Sequence, residues 1–208
     1  HLIKEMKKEL IKNGVDIRTH CLVEKIYVED KAVQGVRVNG QDIACKSVLS
    51  NSNIITTIEQ LVGKEKLGPE YIKDVKNGRL NNSSCQVYMG SKKGEQSPHV
   101  GELLFSSEAE EYCTEKILSK DITSRTFSFY YPEIRPVINL FFIWSSTNVR
   151  FKDWADLSED RYKIDKENLI QSTVDALEKY VPKIREKVHY LEAVTPNTFK
   201  RYTLSPTG

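Results

Sequence analysis

Cys21-Leu22-Val23-Glu24-Lys25-Ile26-Tyr27-Val28-Glu29-Asp30-Lys31-Ala32-Val33-Gln34-Gly35-Val36-Arg37-Val38-Asn39-Gly40-Gln41-Asp42-Ile43-Ala44-Cys45-Lys46-Ser47-Val48-Leu49 is the stretch that decides the fold class. Residues 21–29, 31–38 and 42–49 read as three short strands, with Val23 and Ile26 apolar positions of the first. Glu29-Asp30-Lys31 supplies the first turn. Asn39-Gly40 supplies the second and is a strong hairpin signal, because both residues tolerate positive φ. A compact run of strands on tight turns is not a βαβ alternation. It predicts an α+β chain with a mixed, mainly antiparallel sheet flanked by helices.

Working outward, residues 15–18 alternate as a further short strand. Before them Leu2, Ile3, Met6 and Leu10 mark an amphipathic helix over 2–13, stopped by Gly14. On the other side, Ser50-Asn51-Ser52-Asn53 is a polar break that starts a helix carrying Ile54, Ile55, Ile58, Leu61 and Val62 and ending at Gly63. Gly68-Pro69 opens a short helix to about residue 75. Strands are predicted over 84–89, 101–105 and 126–131, and a helix over 107–118 with acidic residues in its first turn. Residues 137–144 form the most hydrophobic strand, expected at the sheet centre after a proline-framed turn over 132–136. A long helix is predicted over 158–187, with Ile170, Val174, Leu177 and Val181 on its core stripe. A strand over 188–194 then leads to Thr195-Pro196, an N-cap followed by proline at the first helical position.

The 208 residues carry 31 Lys+Arg against 29 Asp+Glu, a formal charge of +2, so a dedicated nucleic-acid binder is disfavoured. The apolar fraction of 39% suffices for a core, and the longest apolar run is strand-length rather than membrane-spanning. The chain opens straight into a charged helix, which predicts no secretory leader, a cytoplasmic location and free thiols. Cys21, Cys45, Cys85 and Cys113 are 24, 40 and 28 positions apart and the histidines are scattered, so no metal site is expected.

Only 10 glycines are present, and they form no G-x-G-x-x-G. Gly63-Lys64-Glu65-Lys66-Leu67-Gly68 has Walker-type glycine spacing, but Pro69-Glu70 replaces the Lys-Ser/Thr that phosphate binding requires. Glu108, Glu110 and Glu111 read as a solvated helix start. The aromatic residues are more suggestive. Strand parity puts Phe127 and Phe129 on one face, and Phe142 and Trp144 on another. These rings, with Tyr88, are either ordinary core or the floor of a broad apolar pocket for a long hydrophobic ligand. Tyr130 and Tyr131 would add amphipathic surface at its mouth.

Two stretches resemble one known family. Asn13-Gly14-Val15, Leu22-Val23-Glu24-Lys25-Ile26, Val33-Gln34-Gly35-Val36 and Ser47-Val48-Leu49-Ser50-Asn51 are similar to the phytoene desaturase-like flavoproteins, where a helix leads to V-x-x-I, v-x-G-V and d-x-V-i-s-N. Thr195-Pro196-Asn197-Thr198-Phe199-Lys200-Arg201-Tyr202-Thr203 resembles the T-P-x-T-F-x-R-Y-T run shared by carotenoid desaturases, carotenoid isomerases and retinol saturases. The likeness spans nearly the whole chain and is weakest over about 60–125. It implies non-covalent FAD and a carotenoid-like or isoprenoid polyene substrate that is desaturated, saturated or isomerised. It also implies residues 1–55 and 190–208 as parts of an FAD-binding domain and 56–189 as a substrate-binding domain.

The family's N-terminal dinucleotide fingerprint and its C-terminal glycine-rich segment have no counterpart in this sequence. The resemblance therefore implies an internal portion, inactive alone and not retaining FAD, of a flavin-dependent oxidoreductase. Val23 matches a main-chain contact to the flavin adenine, or is plain strand packing. Ser50 and Asn51 match the strand end that returns to the cofactor, or cap the next helix. Arg201 and Tyr202 join Tyr88, Phe127, Phe129, Phe142 and Trp144 as candidate pocket residues. Peripheral membrane contact would give access to a lipid-soluble substrate, with Phe151 and Trp154 as candidates. Two other readings are a non-enzymatic α+β module binding an apolar ligand or partner, and a fragment of an amine-oxidase-type flavoenzyme.

Overall fold

The computed structural model describes residues 2–78, 81–134 and 140–208. The chain divides into two compact units, His1–Gly78 and Arg79–Gly208. In the first, helix α1 (Leu2–Lys12) is held by i,i+3 pairs, Lys8 to Glu5 at 2.9 Å and Lys12 to Glu9 at 3.4 Å. Gly14 ends it at φ +80°, a left-handed conformation that costs glycine little. Residues 15–18 form no strand, contrary to expectation: no ladder pairs with them, and Arg18 instead bonds Asp16 at 2.8 Å.

Strands β1 (Val23–Glu29), β2 (Ala32–Val38) and β3 (Gln41–Ala44) form an antiparallel meander. Both turns have two left-handed residues, Asp30 and Lys31 in one and Asn39 and Gly40 in the other. That geometry matches the right-handed twist of paired strands. The third strand is shorter than predicted. After Cys45 N donates to the Gln34 carbonyl the chain leaves the ladder, and Leu49 is wholly exposed.

Helix α2 (Ile54–Thr56) is capped by Asn53, whose Oδ1 accepts from Ile55 N at 2.9 Å. It widens into a π-helical turn over Thr57–Val62 that packs on β1 and buries Ile58, as β1 buries Ile26. Helix α3 (Pro69–Asn77) carries proline in its first turn, where the missing N–H is not needed.

The second unit is built on a five-stranded antiparallel sheet of order β5-β6-β7-β4-β8, from β4 (Ser83–Ser91), β5 (Leu103–Ser107), β6 (Ser124–Tyr130), β7 (Phe142–Val149) and β8 (Val188–Val194). The fold class is thus α+β, with antiparallel sheets flanked by helices. The central strand is β7. It takes in residues 142–144 of the predicted 137–144, at the expected centre of the sheet, and runs on to Val149, because alternating burial continues through Ile143, Ser145, Thr147 and Val149. Residues 137–139, and the 135–136 end of the expected turn, lie outside the described residues.

The predicted 107–118 helix is reduced to α4 (Thr114–Ile117). Residues 108–111 have no apolar face to bury, Glu108 pairs with Lys179, and Ser107 Oγ accepts from Ala109 N. A short α5 (Lys152–Ala155) precedes α6 (Glu159–Glu178). The helix expected over 158–187, ending at Pro182 or continuing as a kinked last turn, stops at Glu178, and a separate short helix α7 (Ile184–Lys187) follows. Pro182 is the cause: its ring clashes with the carbonyl four residues back, that of Glu178, and it has no N–H to give. Helix α8 (Pro196–Thr203) closes the unit.

The core lies between α6 and one sheet face. Val87, Met89, Phe127, Phe129 and Ile143 from the sheet meet Leu169, Val174, Leu177, Val181 and Ile184. Each large side chain buried there is worth ~1.5–3 kcal/mol relative to exposure.

Candidate functional site

Strand parity divides the predicted pocket residues between the two faces of the five-stranded sheet. Phe127 and Phe129, 0% and 2% exposed, belong to the core beneath α6. Tyr88, Phe142 and Trp144 stand on the opposite face, half-buried. Tyr130 joins them, whereas Tyr131 turns inward. It stacks on His99 and Phe129, donates to the Gly101 carbonyl at 3.2 Å and accepts from Val100 N at 3.1 Å.

Cross-strand register orders the second face into rows. Leu103, Ser128, Trp144, Tyr88 and Glu192 form one row, since directly paired residues point the same way. Tyr130, Phe142, Gly90 and Tyr190 form the next. Phe105, Thr126, Ser146, Gln86 and Val194 form a third. Ring centroids lie 5.9 Å apart for Tyr88–Phe142, 6.4 Å for Tyr88–Trp144 and 6.0 Å for Tyr130–Phe142, within stacking range. Gly90 leaves a notch between Phe142 and Tyr190. A β-carbon there would lie 3.5 Å from Tyr190 Cβ, so packing does not require the glycine.

Polar groups border the rings on this face: Ser128, Glu192, Thr126, Ser146, Gln86 and the tyrosine hydroxyls. Tyr88 donates its hydroxyl to Gln86 Oε1 at 2.5 Å, and Glu192 is paired with Lys166 at 2.7 Å. The Trp144 indole N–H is buried with no acceptor among the described residues. Desolvation raises the Tyr88 hydroxyl pKa above the ordinary phenolic value, so it stays a neutral donor. The arrangement offers a half-buried wall of stacked rings, with the side-chain-free Gly90 buried in the row of Phe142 and Tyr190.

The remaining candidates are scattered. Arg201 and Tyr202 lie on the exposed side of α8, the guanidinium 5.7 Å from its neighbour's ring. The start of the same motif is an anchor: Thr195 N donates to Thr198 Oγ1 at 3.4 Å, Thr195 Oγ1 bonds Tyr162 OH at 2.9 Å, and Asn197 Nδ2 donates to the Trp154 carbonyl at 2.8 Å. Trp154 is itself buried, which removes it from any membrane-facing surface, and Phe151 carries Lys200 5.1 Å from its ring centroid. No helix among the described residues is long and apolar enough to cross a membrane.

In the first unit, Val23 opens the edge strand β1 and is partly exposed. Ser50 Oγ bonds Thr57 Oγ1 at 2.8 Å, and Asn51 is exposed. The residue that caps the helix is Asn53, two positions later. The glycine-spaced run does not fit a phosphate. A β-carbon on Gly63 would meet the Glu65 carboxylate at 2.3 Å, so an acid fills the position a phosphate would need.

Sequence reasoning missed Gly90, Tyr190 and Gln86. Register across β4, β7 and β8 brings them to the rings, and no local periodicity carries that information. No family model matches the chain. Along its whole length the chain is 24% identical to the prolycopene isomerase of Daucus carota, a chloroplastic protein, and covers 34% of it. A solved oxidoreductase from Methanosarcina mazei shares the fold at 16% identity, with a TM-score of 0.61 over 93% of this chain and 41% of the other. The chain thus spans about a third to two-fifths of the length of the proteins it resembles, and its fold matches a portion of that solved structure.

Proposed function

We propose that the chain is the substrate-side portion of an FAD-dependent oxidoreductase or isomerase acting on a carotenoid-like or isoprenoid polyene. Residues 56–189 would form the substrate-binding domain, and residues 1–55 and 190–208 would belong to the flavin-binding domain. One observation carries the reading: the ring-paved sheet face of Tyr88, Tyr130, Phe142 and Trp144, notched at Gly90. Conjugated chains are flat and apolar, and such a face binds them by area and stacking rather than by hydrogen bonds. The likeness to a prolycopene isomerase supports the same substrate class. FAD would supply the redox or isomerising chemistry. In this chain the edge of β1 at Val23 could meet only the adenine, and the pyrophosphate would rest on residues elsewhere in the longer protein. Contact with a membrane surface would be peripheral, as a lipid-soluble substrate requires.

The test is a titration of the full-length protein with a long conjugated polyene in mixed micelles, read by the shift of its absorption band. The expected result is saturable binding, weakened on the order of tenfold when Tyr88 and Trp144 are both replaced by alanine, at ~0.5–1.5 kcal/mol per lost ring contact. Phe127→Leu, on the opposite face, should leave the affinity unchanged. Unaltered binding by the double variant would refute the assignment.

A further inference from the structure

The helix-covered side of the five-stranded sheet holds a cavity of about 350 Å³ between the segment 120–125, Trp154 and α6. Its lining is unusually cationic for a partly buried site. Lys120, Arg125 and Arg161 face two acids, Asp121 and Asp165. Asp165, 8% exposed, is already shared by Lys120 at 2.6 Å and Arg161 at 2.9 Å.

Arg125 is the deciding residue. It is 8% exposed, yet no carboxylate among the described residues pairs with it. Among the described residues its guanidinium donates to neutral oxygens only: Ser172 Oγ at 2.8 Å, Thr173 Oγ1 at 3.3 Å and the Ile122 carbonyl at 3.3 Å. These use three of the five N–H groups that an arginine carries. The acids close enough to be felt, Glu108 and Asp175, are committed to Lys179 and Arg185. Burial pushes the guanidinium pKa down, the direction expected of a cation short of counter-charge. In the same wall the Trp154 indole N–H is buried without an acceptor among the described residues, and Lys120 Nζ lies 5.6 Å from that ring's centroid. The site has more donors than acceptors and more positive than negative charge.

We propose that this cavity binds the phosphate group of a small ligand, with Arg125 as its principal partner and Lys120 and Arg161 supplying further positive charge. Arginine's planar fork and surplus N–H groups suit a multiply charged oxyanion. The cavity is larger than one phosphate, so the group would carry a small organic remainder.

The experiment is calorimetric titration of the protein with inorganic phosphate, and with glycerol 3-phosphate, in buffers matched for ionic strength with chloride. Saturable binding is expected, weakened at least tenfold in Arg125→Met. Lys120 is exposed enough that Lys120→Gln should fold normally, and it should weaken binding several-fold. Asp165→Asn, which removes an anion, should strengthen it. A purely structural Arg125 would move stability without moving phosphate affinity. A lipid headgroup as the source would instead show binding only to vesicles of phosphatidic acid in phosphatidylcholine, again lost in Arg125→Met. No saturable binding to either form, or binding that survives both Arg125→Met and Lys120→Gln, would overturn the proposal.

Discussion

Replacing glycine by alanine within a strand should have opposite signs at Gly35 and Gly90. At Gly35 an added β-carbon would sit 2.5 Å from the Ile43 carbonyl oxygen and 3.2 Å from the Ala44 Cα, both backbone atoms of the paired strand β3. Ordinary contact would require the hairpin backbones to part by roughly 1 Å, stretching the ladder around the Gly35–Ala44 pair. Overpacking of this kind costs ~1–3 kcal/mol. At Gly90 the β-carbon would rest 3.5 Å from Tyr190 Cβ, an ordinary contact, so the gain from reduced unfolded-state freedom, ~0.5–1 kcal/mol, is unopposed. The two variants should therefore differ in stability by about 1.5–4 kcal/mol. Urea unfolding followed by far-ultraviolet circular dichroism measures this. Hydrogen exchange at Val36 and Ile43 would localise the Gly35→Ala defect, since Trp144 and Trp154, the only tryptophans, lie in the other unit. A Gly35→Ala variant as stable as the parent, or a Gly90→Ala variant that loses more than ~1 kcal/mol, would refute the close-approach argument.

Phe127→Ala should cost about 3–5 kcal/mol in chemical denaturation, because the ring is wholly buried under α6. Trp144→Ala on the open face should cost markedly less in the same assay. Burial pushes the Cys85 thiol up to about 12, so at pH 8 iodoacetamide followed by mass spectrometry should label exposed Cys21 readily and Cys85 only after unfolding. Asp42 accepts two bonds from the Arg37 guanidinium and one from Tyr27 OH, and the Arg37 bonds above all hold its carboxyl below the ordinary carboxylate value. Its contribution to stability is therefore fully present above the ordinary aspartate pKa of ~4 and is lost as pH falls through the depressed value. Carbon-detected NMR titration should show the Asp42 midpoint rising toward normal in Arg37→Ala.

Features set by local chemistry were legible from the residues alone. Asn39-Gly40 announces its turn because few other residue pairs accept two positive φ angles, and Thr195-Pro196 announces a helix start by cap and missing N–H. Hydrophobicity marks the central strand, and parity extends it. The apolar run announces β7 through Phe142–Trp144, and the strand continues through Ser145 and Thr147, whose small side chains turn inward and whose hydroxyl at Thr147 finds the Ser124 carbonyl at 2.9 Å. The stripe of α6 is legible from its spacing and Pro182 marks the end of the helix, but the proline acts one turn upstream, so the helix closes at Glu178. The aromatic site was half legible. Parity within each strand separates Phe127 and Phe129 from their neighbours, but only pairing between strands shows that Trp144 stands beside Tyr88 and that Phe142 faces Gly90.

The same sheet explains why a site can sit on one face without weakening the other. In β4, β6 and β7, residues with even numbers point one way and those with odd numbers the other, so each strand contributes to two environments with different demands. The odd set (Cys85, Val87, Met89, Phe127, Phe129 and Ile143) is locked by α6 and tolerates little change in volume. The even set (Gln86, Tyr88, Gly90, Ser128, Tyr130, Phe142 and Trp144) carries rings, hydroxyls and a notch, and its members can be exchanged at small cost to the fold. On the proposed function, ligand preference would be set by the even positions while the odd positions hold the geometry. Substitutions at Tyr88, Gly90, Phe142 and Trp144 should then change ligand affinity with little change in denaturation midpoint. Substitutions at Val87, Met89, Phe127 and Ile143 should lower the midpoint while the fraction still folded keeps its affinity.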